Sequence, residues 1–133
     1  FVCQAEDGMR GVAVTGVQTG ALPICRRKVT VFGQARTPGV SPLYSRAREV
    51  GAVLARSELM VITGGGGGIM AAAHEGAGLE HSLGFNITLP FEQHANPTID
   101  GTENLLSFHF FFTRKLFFVK EADALVQIGR AHV

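Results

Sequence analysis

The sequence contains no tryptophan, one tyrosine and two cysteines among its 133 residues. Cys3 and Cys25 lie too far apart for a Cys-x-x-Cys motif, so they give no sign of a zinc or redox site. No His-x-x-x-His or His-Glu-x-x-His spacing occurs among the histidines, which stand at positions 74, 81, 94, 109 and 132. We therefore expect no metal site, and the scarcity of cysteine favours a reducing, cytoplasmic setting.

An excess of charge of one sign and long hydrophobic runs are also absent. Twelve Lys and Arg residues against eleven Asp and Glu residues leave a formal net charge of +1. A nucleic-acid-binding protein usually carries a clustered basic face, which this balance does not provide. No apolar run reaches the roughly 18 residues that a membrane span requires. We therefore expect neither a nucleic acid nor a membrane as a partner.

Strand and helix patterns alternate along the chain from residue 28 onward. Continuous apolar segments predict four strands, at 28–33, 59–64, 82–90 and 122–126. Helices are predicted at 41–57 and 68–80, and the segment 105–121 predicts a short strand or turn followed by a helix. Buried strands that alternate with helices are typical of a parallel sheet. The expected fold class is α/β, with helices on both faces of the sheet.

The helix at 41–57 has a clear start signal. Ser41 is a favourable N-cap, and Pro42 occupies the first helical position, where a missing N–H costs nothing. Inward-facing positions carry small or apolar residues, among them Ala47 and Gly51, while Arg46 lies on the opposite, polar face.

The segment VITGGGGGIMAAA runs from a strand into a helix through a row of glycines: Gly64, Gly65, Gly66, Gly67 and Gly68. Glycines permit sharp turns and let a ligand approach bare N–H groups. The helix predicted at 68–80, with Ile69 and Met70 in its first turn, favours an anion at its N-terminus. The segment fits neither G-x-G-x-x-G nor G-x-x-x-x-G-K-[ST]. Phosphate binding is one interpretation, and close packing without a ligand is the other.

Loops that come after successive parallel strands meet at one edge of the sheet. The loop GQARTPG comes after the first strand, so Gly33, Ala35 and Arg36 are candidates for the same ligand site. Asn86, in the third strand, is a further candidate, although a hydrogen bond at the strand end explains an asparagine there equally well.

Arg114 and Lys115 stand out in the apolar segment FFTRKLFFVKEA. Arginine is suited to bidentate contact with an anion and to stabilising charge at a reacting centre. The alternative is that Arg114 extends to solvent or pairs with a carboxylate. The surrounding phenylalanines, at positions 108, 110, 111, 112, 117 and 118, are expected in the core, because no basic groove for base stacking accompanies them.

Four stretches together resemble the LOG ("Lonely Guy") family, namely VTVFGQARTPGVSPLY, VITGGGGGIMAAAHEGAG, GFNITLPFEQHANPTID and FHFFFTRKLFFVKEADALV. The resemblance implies a Rossmann-like sheet, a homodimer or larger assembly for the full-length protein, and no metal or organic cofactor. It implies hydrolysis of the N-glycosidic bond of a nucleoside 5′-monophosphate, such as AMP or a cytokinin nucleotide, to free base and ribose 5-phosphate. It further implies that the glycine run holds the phosphate and that Arg114, with Lys115 beside it, is catalytic.

The sequence departs from the family pattern at a decisive place. The family motif P-G-G-x-G-T-x-x-E, whose glutamate would assist the cleavage, does not come after the strand at 122–126. Ala71 and His74 stand where many relatives have Glu and Asn. The chain as given is therefore expected to be inactive, and a non-catalytic nucleotide- or cofactor-binding role is the alternative. A decarboxylase would need a lysine that carries pyridoxal, and no lysine lies beside an evident cofactor motif.

Residues 1–24 lack the periodicity of the rest of the chain, and both ends of the chain resemble translated sequencing adapters. IGRAHV can be read as the translation of a common sequencing adapter, and VTGVQTGALPI differs only at Gly20 from a translation of the opposite adapter. We therefore predict non-native tails at 1–24 and 127–133 around an incomplete, truncated LOG-like domain at 25–126.

Overall fold

A computed structural model describes residues 26–88 and 94–129. These residues form five strands and three α-helices, which are β1 (Lys28–Gly33), α1 (Pro42–Arg56), β2 (Met60–Thr63), α2 (Ile69–Ala77), β3 (Ser82–Ile87), β4 (Leu105–Phe108), α3 (Phe111–Lys120) and β5 (Ala124–Ile128). A 3-10 turn at Leu79–His81 connects α2 to β3. No helix within these ranges is long and apolar enough to cross a lipid bilayer.

The five strands form one parallel sheet in the order β4-β3-β2-β1-β5. The chain adds strands outward from β1 to β4, and α3 then returns it to the other side of β1, where β5 pairs. Helices α1 and α2 pack on one face of the sheet and α3 packs on the other. This arrangement confirms the expected Rossmann-like α/β fold with helices on both faces.

Helices α1 and α2 approach each other at their backbones. A Cβ atom on Gly51 would collide with the carbonyl oxygen of Ala73, and a Cβ atom on Gly76 would collide with that of Arg48. The small-residue face of α2 therefore lies against α1 as well as against the sheet. Sheet residues such as Val31 and Val61 complete the core on this side.

The opposite face of the sheet has an aromatic core. Phe85 of β3 is fully buried, and its ring contacts those of Phe108, Phe117 and Phe118 at centroid distances of 5.5, 6.2 and 5.3 Å. The expectation that all six phenylalanines of this region lie in the core is wrong for three of them. Phe110, Phe111 and Phe112 are 71%, 54% and 77% exposed. Phe110 precedes α3, and Phe111 and Phe112 lie on a side of its first turn that does not meet the aromatic core.

Several elements end earlier or later than the sequence pattern predicts. Helix α2 stops at Ala77, because Gly78 adopts a φ of +81°, a conformation that side chains disfavour. Strand β3 ends at Ile87, and residues 89 and 90 of the predicted strand lie outside the described residues. The predicted tail at 1–24 and the last four residues of the predicted tail at 127–133 also lie outside them.

Strand β5 is shifted two residues toward the C-terminus from the predicted 122–126. Asp123 exchanges backbone and side-chain hydrogen bonds with Lys28 at the entrance to the sheet, with its N–H donating to the Lys28 carbonyl and its carboxylate accepting from the Lys28 N–H, both at 2.8 Å. Pairing with β1 then runs from Ala124 to Ile128, and Ile128 is buried in the α1–α2 core.

Candidate functional site

The glycine loop, defined as Gly64 to Gly68, connects β2 to α2 at the carboxyl edge of the sheet. It lies against the loop after β1, because the N–H of Ile69 donates to the carbonyl oxygen of Gln34 at 3.0 Å. Gly68 has a φ of +62°, and a Cβ atom on it would collide with the Gln34 carbonyl oxygen and lie 2.6 Å from the carbonyl carbon of Ala35. The structure thus brings together the two loops that the sequence analysis placed at one edge, and close packing accounts for Gly68.

Two candidate ligand residues instead contact each other. The side chain of Ile69 is fully buried in the α1–α2 core, and it occupies the space that a Cβ atom on Gly33 would need. Gly33 therefore permits the close approach of α2 to the end of β1. Met70, next in the helix, places its thioether beside the loop, with its sulfur 3.0 Å from where a Cβ atom on Gly64 would lie.

The outer part of the glycine loop carries free backbone donors. Within the described part of the chain, the N–H groups of Gly66, Gly67 and Gly68 donate to no protein acceptor. Gly67 is exposed, and its two neighbours are half-buried. Successive free N–H groups at the start of a helix form a concave site that favours an anion. The packing of the loop therefore leaves these N–H groups available to bind a ligand.

Arg114 reaches this loop from α3. Its Nε–H donates to the carbonyl oxygen of Phe85 at 2.6 Å, and its Nη2 donates to that of Gly64 at 3.3 Å. The guanidinium group therefore lies between the carboxyl ends of β2 and β3, with the ring of Phe118 5.2 Å beneath it. Partial burial lowers the pKa of Arg114 from its ordinary value, yet arginine stays charged at any physiological pH. Three of its five N–H donors remain available for a ligand.

The other predicted site residues occupy different surroundings. Asn86 lies beside the loop, with its Cβ 3.9 Å from where a Cβ atom on Gly65 would be. Its side chain forms no hydrogen bond with another described residue, so a strand-end hydrogen bond within these ranges does not account for it. Ala35 directs its carbonyl oxygen toward Gly67, while the side chains of Arg36 and Lys115 are exposed and make no hydrogen bond to described residues.

Three buried residues that the sequence analysis did not assign to the site support the glycine loop from below. Thr63 Oγ1 accepts the N–H of Gly65 at 2.9 Å and lies 3.2 Å from His74 Nε2. Asn96 donates through Nδ2 to the carbonyl oxygen of Gly66 at 3.1 Å, and the same nitrogen lies 3.2 Å from His74 Nδ1. His74 was the detectable member of this group, since a polar residue stands there on the apolar face of α2, between Ala73 and Ala77.

The hydrogen-bond pattern assigns the tautomer of His74. Asn96 Oδ1 accepts the N–H of Thr98 at 3.2 Å, so the amide group of Asn96 presents its N–H donors to Gly66 and to His74 Nδ1. Nδ1 is therefore the acceptor, and the ring proton resides on Nε2. Burial of the imidazole lowers the pKa of His74 to about 4, so the ring is neutral near pH 7.

The site contains several hydrogen-bond donors, but no carboxylate of the described residues is bonded to it. No Asp or Glu of residues 26–88 and 94–129 is hydrogen-bonded or ion-paired to Arg114 or to the glycine loop. Nor do these residues contain a group of three or more His, Cys, Asp or Glu side chains that could hold a metal ion. The arrangement can therefore bind an anion.

Comparison with known families and structures agrees with this architecture. Residues 26–132 match the SLOG cluster4 family. The X-ray structure of TM1055, a Northeast Structural Genomics Consortium target, is 28% identical with a TM-score of 0.61, over 77% of this chain and 61% of that chain. No curated protein matches.

Two further similar structures bear on the fold alone, because their identity is low. The molybdenum cofactor carrier protein from Chlamydomonas reinhardtii is 20% identical with a TM-score of 0.61, over 80% of this chain and 64% of that chain. The molybdenum cofactor binding protein from the phototrophic bacterium Rippkaea orientalis is 18% identical with a TM-score of 0.59, over the same shares. The chain thus spans between 61% and 64% of the length of these solved structures.

Proposed function

Because the chain belongs to the SLOG cluster4 family, we propose that the carboxyl edge of its sheet binds the phosphate group of a nucleoside 5′-monophosphate. The observation that carries this proposal is the position of Arg114, whose guanidinium group is bonded to the carbonyl oxygen of Gly64 beside a loop with free N–H groups. A half-buried arginine next to unpaired backbone donors is suited to a phosphate.

A phosphate dianion would complete the hydrogen bonding at this edge. Its oxygens would accept from Gly66, Gly67 and Gly68 and from the remaining donors of Arg114. The N-terminus of α2 adds partial positive charge directly behind these glycines. The absence of a bonded carboxylate among the described residues favours the same ligand, since a carboxylate beside Arg114 would repel the phosphate and compete for the arginine.

For the whole protein we propose hydrolysis of the N-glycosidic bond, as the LOG-like sequence implies. Water would attack the anomeric carbon of the ribose, the bond from that carbon to the base nitrogen would break, and the base would leave with the bonding electrons and take up a proton. Such a reaction develops positive charge on the sugar, which a carboxylate normally stabilises. We propose that this carboxylate lies outside the described residues and that the chain as given binds but does not cleave.

The second candidate is a non-catalytic carrier of a phosphorylated cofactor or nucleotide. The observation that favours it is the lack of a carboxylate bonded at this edge among the described residues. The likeness to a protein described as a molybdenum cofactor carrier shows only that a carrier can have this fold. The two candidates share the phosphate site and differ in the fate of the bound ligand, because a carrier releases its ligand unchanged.

Calorimetric titration tests the shared part of the proposal. We expect AMP and ribose 5-phosphate to bind and adenosine, which has no phosphate, to bind at least about tenfold more weakly, since charge-assisted hydrogen bonds contribute about 1.5–3 kcal/mol each. Equal binding of AMP and adenosine would refute a phosphate site. Chromatography of AMP incubated with the full-length protein then separates the candidates, because adenine appears only if that protein is a hydrolase.

A further inference from the structure

The glycine loop is held by a buried hydrogen-bonded chain that leads from the interior of α2 to the loop backbone. We propose that Thr63, His74 and Asn96 are positioning residues, which orient the peptide groups of the glycine loop so that their N–H groups face an anion. The inference deepens the proposed phosphate site and rests on it for the identity of the ligand. None of these three side chains needs to touch the phosphate.

Asn96 determines the direction of two peptide groups. Its backbone N–H donates to the carbonyl oxygen of Gly65 at 2.8 Å, and its side-chain Nδ2 donates to that of Gly66 at 3.1 Å. In a trans peptide group the N–H points opposite to the C=O. With both carbonyls directed at the buried Asn96, the N–H groups of Gly66 and Gly67 point away from it, toward the outer side of the loop.

Thr63 fixes the residue at which the loop turns. Its hydroxyl oxygen accepts the N–H of Gly65, which has a φ of +81° and is buried. This bond removes the first glycine N–H from the set that a ligand can reach. It also defines the starting direction from which the next two peptide groups are oriented.

His74 lies between Thr63 and Asn96 and fixes their positions relative to each other. Its Nδ1 accepts from the second N–H of Asn96 Nδ2, and its Nε2–H faces Thr63 Oγ1. Thr63 and His74 are completely buried and Asn96 is 4% exposed, so no water can replace a lost partner without a rearrangement. A buried network in which the partners are satisfied is stiff, and a missing member leaves unpaired groups in a low-dielectric interior.

A matched pair of threonines separates positioning from general stability. Thr63→Val removes the hydroxyl below the loop. Thr30→Val removes an equally buried hydroxyl from the neighbouring strand, one that donates to the carbonyl oxygen of Phe118 on the other face of the sheet. We expect Thr63→Val to weaken ribose 5-phosphate binding about fivefold or more, since one hydrogen bond contributes about 1 kcal/mol. Thr30→Val should bind within about twofold of the wild type, as changes distant from a site usually do.

Two variants at position 74 test whether His74 orients the glycine loop through its hydrogen bond with Asn96. In His74→Asn the side-chain oxygen can take the place of Nδ1 and accept from Asn96, so we expect affinity within about threefold of the wild type. His74→Leu keeps an apolar side chain in the core but offers no acceptor, and we expect it to weaken binding about fivefold or more. Circular dichroism establishes that each variant is folded at the temperature of the titration.

Amide hydrogen exchange supplies a readout that needs no ligand. We expect the N–H of Asn96 to exchange faster in Thr63→Val than in Thr30→Val, when each is compared at equal global stability. Equal exchange and equal affinity in the two threonine variants would overturn the positioning role, as would binding by His74→Asn that is as weak as binding by His74→Leu. Failure of the wild type to bind ribose 5-phosphate would instead refute the proposed function. The comparison of hydrogen-exchange rates would then still test whether Thr63 holds Asn96 and the loop in place.

Discussion

Arg114 and Phe85 are joined by a hydrogen bond of 2.6 Å from the guanidinium Nε–H to the backbone carbonyl oxygen. The bond ties α3, on one face of the sheet, to the end of β3, and it directs the remaining guanidinium donors toward the glycine loop. The same side chain therefore closes the aromatic core and contributes to the candidate phosphate site. Its two roles predict different consequences for different substitutions.

Replacement of Arg114 by alanine should affect both affinity and stability. We expect the dissociation constant for AMP to rise about tenfold or more, because a charge-assisted hydrogen bond contributes about 1.5–3 kcal/mol. Arg114→Lys should be intermediate, since a lysine ammonium group lacks the planar fork that reaches a carbonyl and a phosphate together. Arg46→Ala, on the exposed face of α1, is the matched control and should leave the calorimetric affinity unchanged. Wild-type affinity in Arg114→Ala would exclude the arginine from the site.

Gly68 should tolerate no side chain. An alanine there would need a φ of +62° and would collide with the Gln34 carbonyl oxygen. We expect Gly68→Ala to lower the free energy of unfolding by about 2 kcal/mol or more, measured by urea denaturation. Gly39→Ala has open space around its Cβ and should change stability by less than about 1 kcal/mol. Similar values for the two variants would show that the contact between the two loops is absent in solution.

The stability of the protein should fall as the pH falls from about 6.5 to about 4. Burial lowers the pKa of His74 to about 4 from an ordinary 6.5, so between these values the unfolded chain binds a proton that the folded chain does not. The resulting loss is about 2 kcal/mol at pH 5 relative to pH 7, when each pKa unit counts for about 1.4 kcal/mol. No charged side chain of the described ranges is bonded to the imidazole, so the titration belongs to this ring.

Urea denaturation of the wild type and of His74→Asn at both pH values measures this contribution. Asparagine does not titrate, so the variant should lose less stability than the wild type on acidification, and the difference between the two losses is the contribution of His74. Identical losses in the two proteins would mean that His74 is not buried in its neutral form.

Two phenylalanines of the same helix should differ sharply in their importance. Phe118 is 6% exposed and contacts the rings of Phe32 and Phe85, whereas Phe112 is 77% exposed. We expect Phe118→Ala to reduce the free energy of unfolding by about 3–5 kcal/mol, the usual range for a buried aromatic residue. Phe112→Ala should change it by less than about 0.5 kcal/mol. Thermal denaturation checks both, and comparable losses would place Phe112 in a core or an interface.

Features that depend on neighbouring residues were predictable from the sequence. The start of α1 is an example, since Ser41 Oγ accepts the N–H of Leu43 at 3.2 Å and Pro42 stands at the first helical position, as expected. The order of four strands was predictable for the same reason, because β1, β2, β3 and β5 each lie in or overlap a largely apolar segment, whereas β4 was predicted only as a short strand or turn. The glycine loop was located from its composition alone.

Features that depend on distant residues were not predictable. Asn96 and His74 are 22 positions apart, and only the folded chain brings the amide group to the imidazole. The exposure of Phe111 and Phe112 depends on which side of α3 meets the sheet, and a segment with apolar residues on all sides gives no periodicity from which to infer that side. The register of β5 is set by hydrogen bonds between Asp123 and Lys28, 95 positions away.

The most direct test of the central claim is nuclear magnetic resonance of glycine-labelled protein titrated with ribose 5-phosphate. If the glycine loop binds the phosphate, the amide resonances of Gly66, Gly67 and Gly68 should shift in a saturable manner. Those of Gly39 and Gly101, exposed glycines elsewhere in the fold, should stay in place. Saturable shifts that leave the glycine loop untouched, or no shifts at all, would contradict a phosphate site at this edge of the sheet.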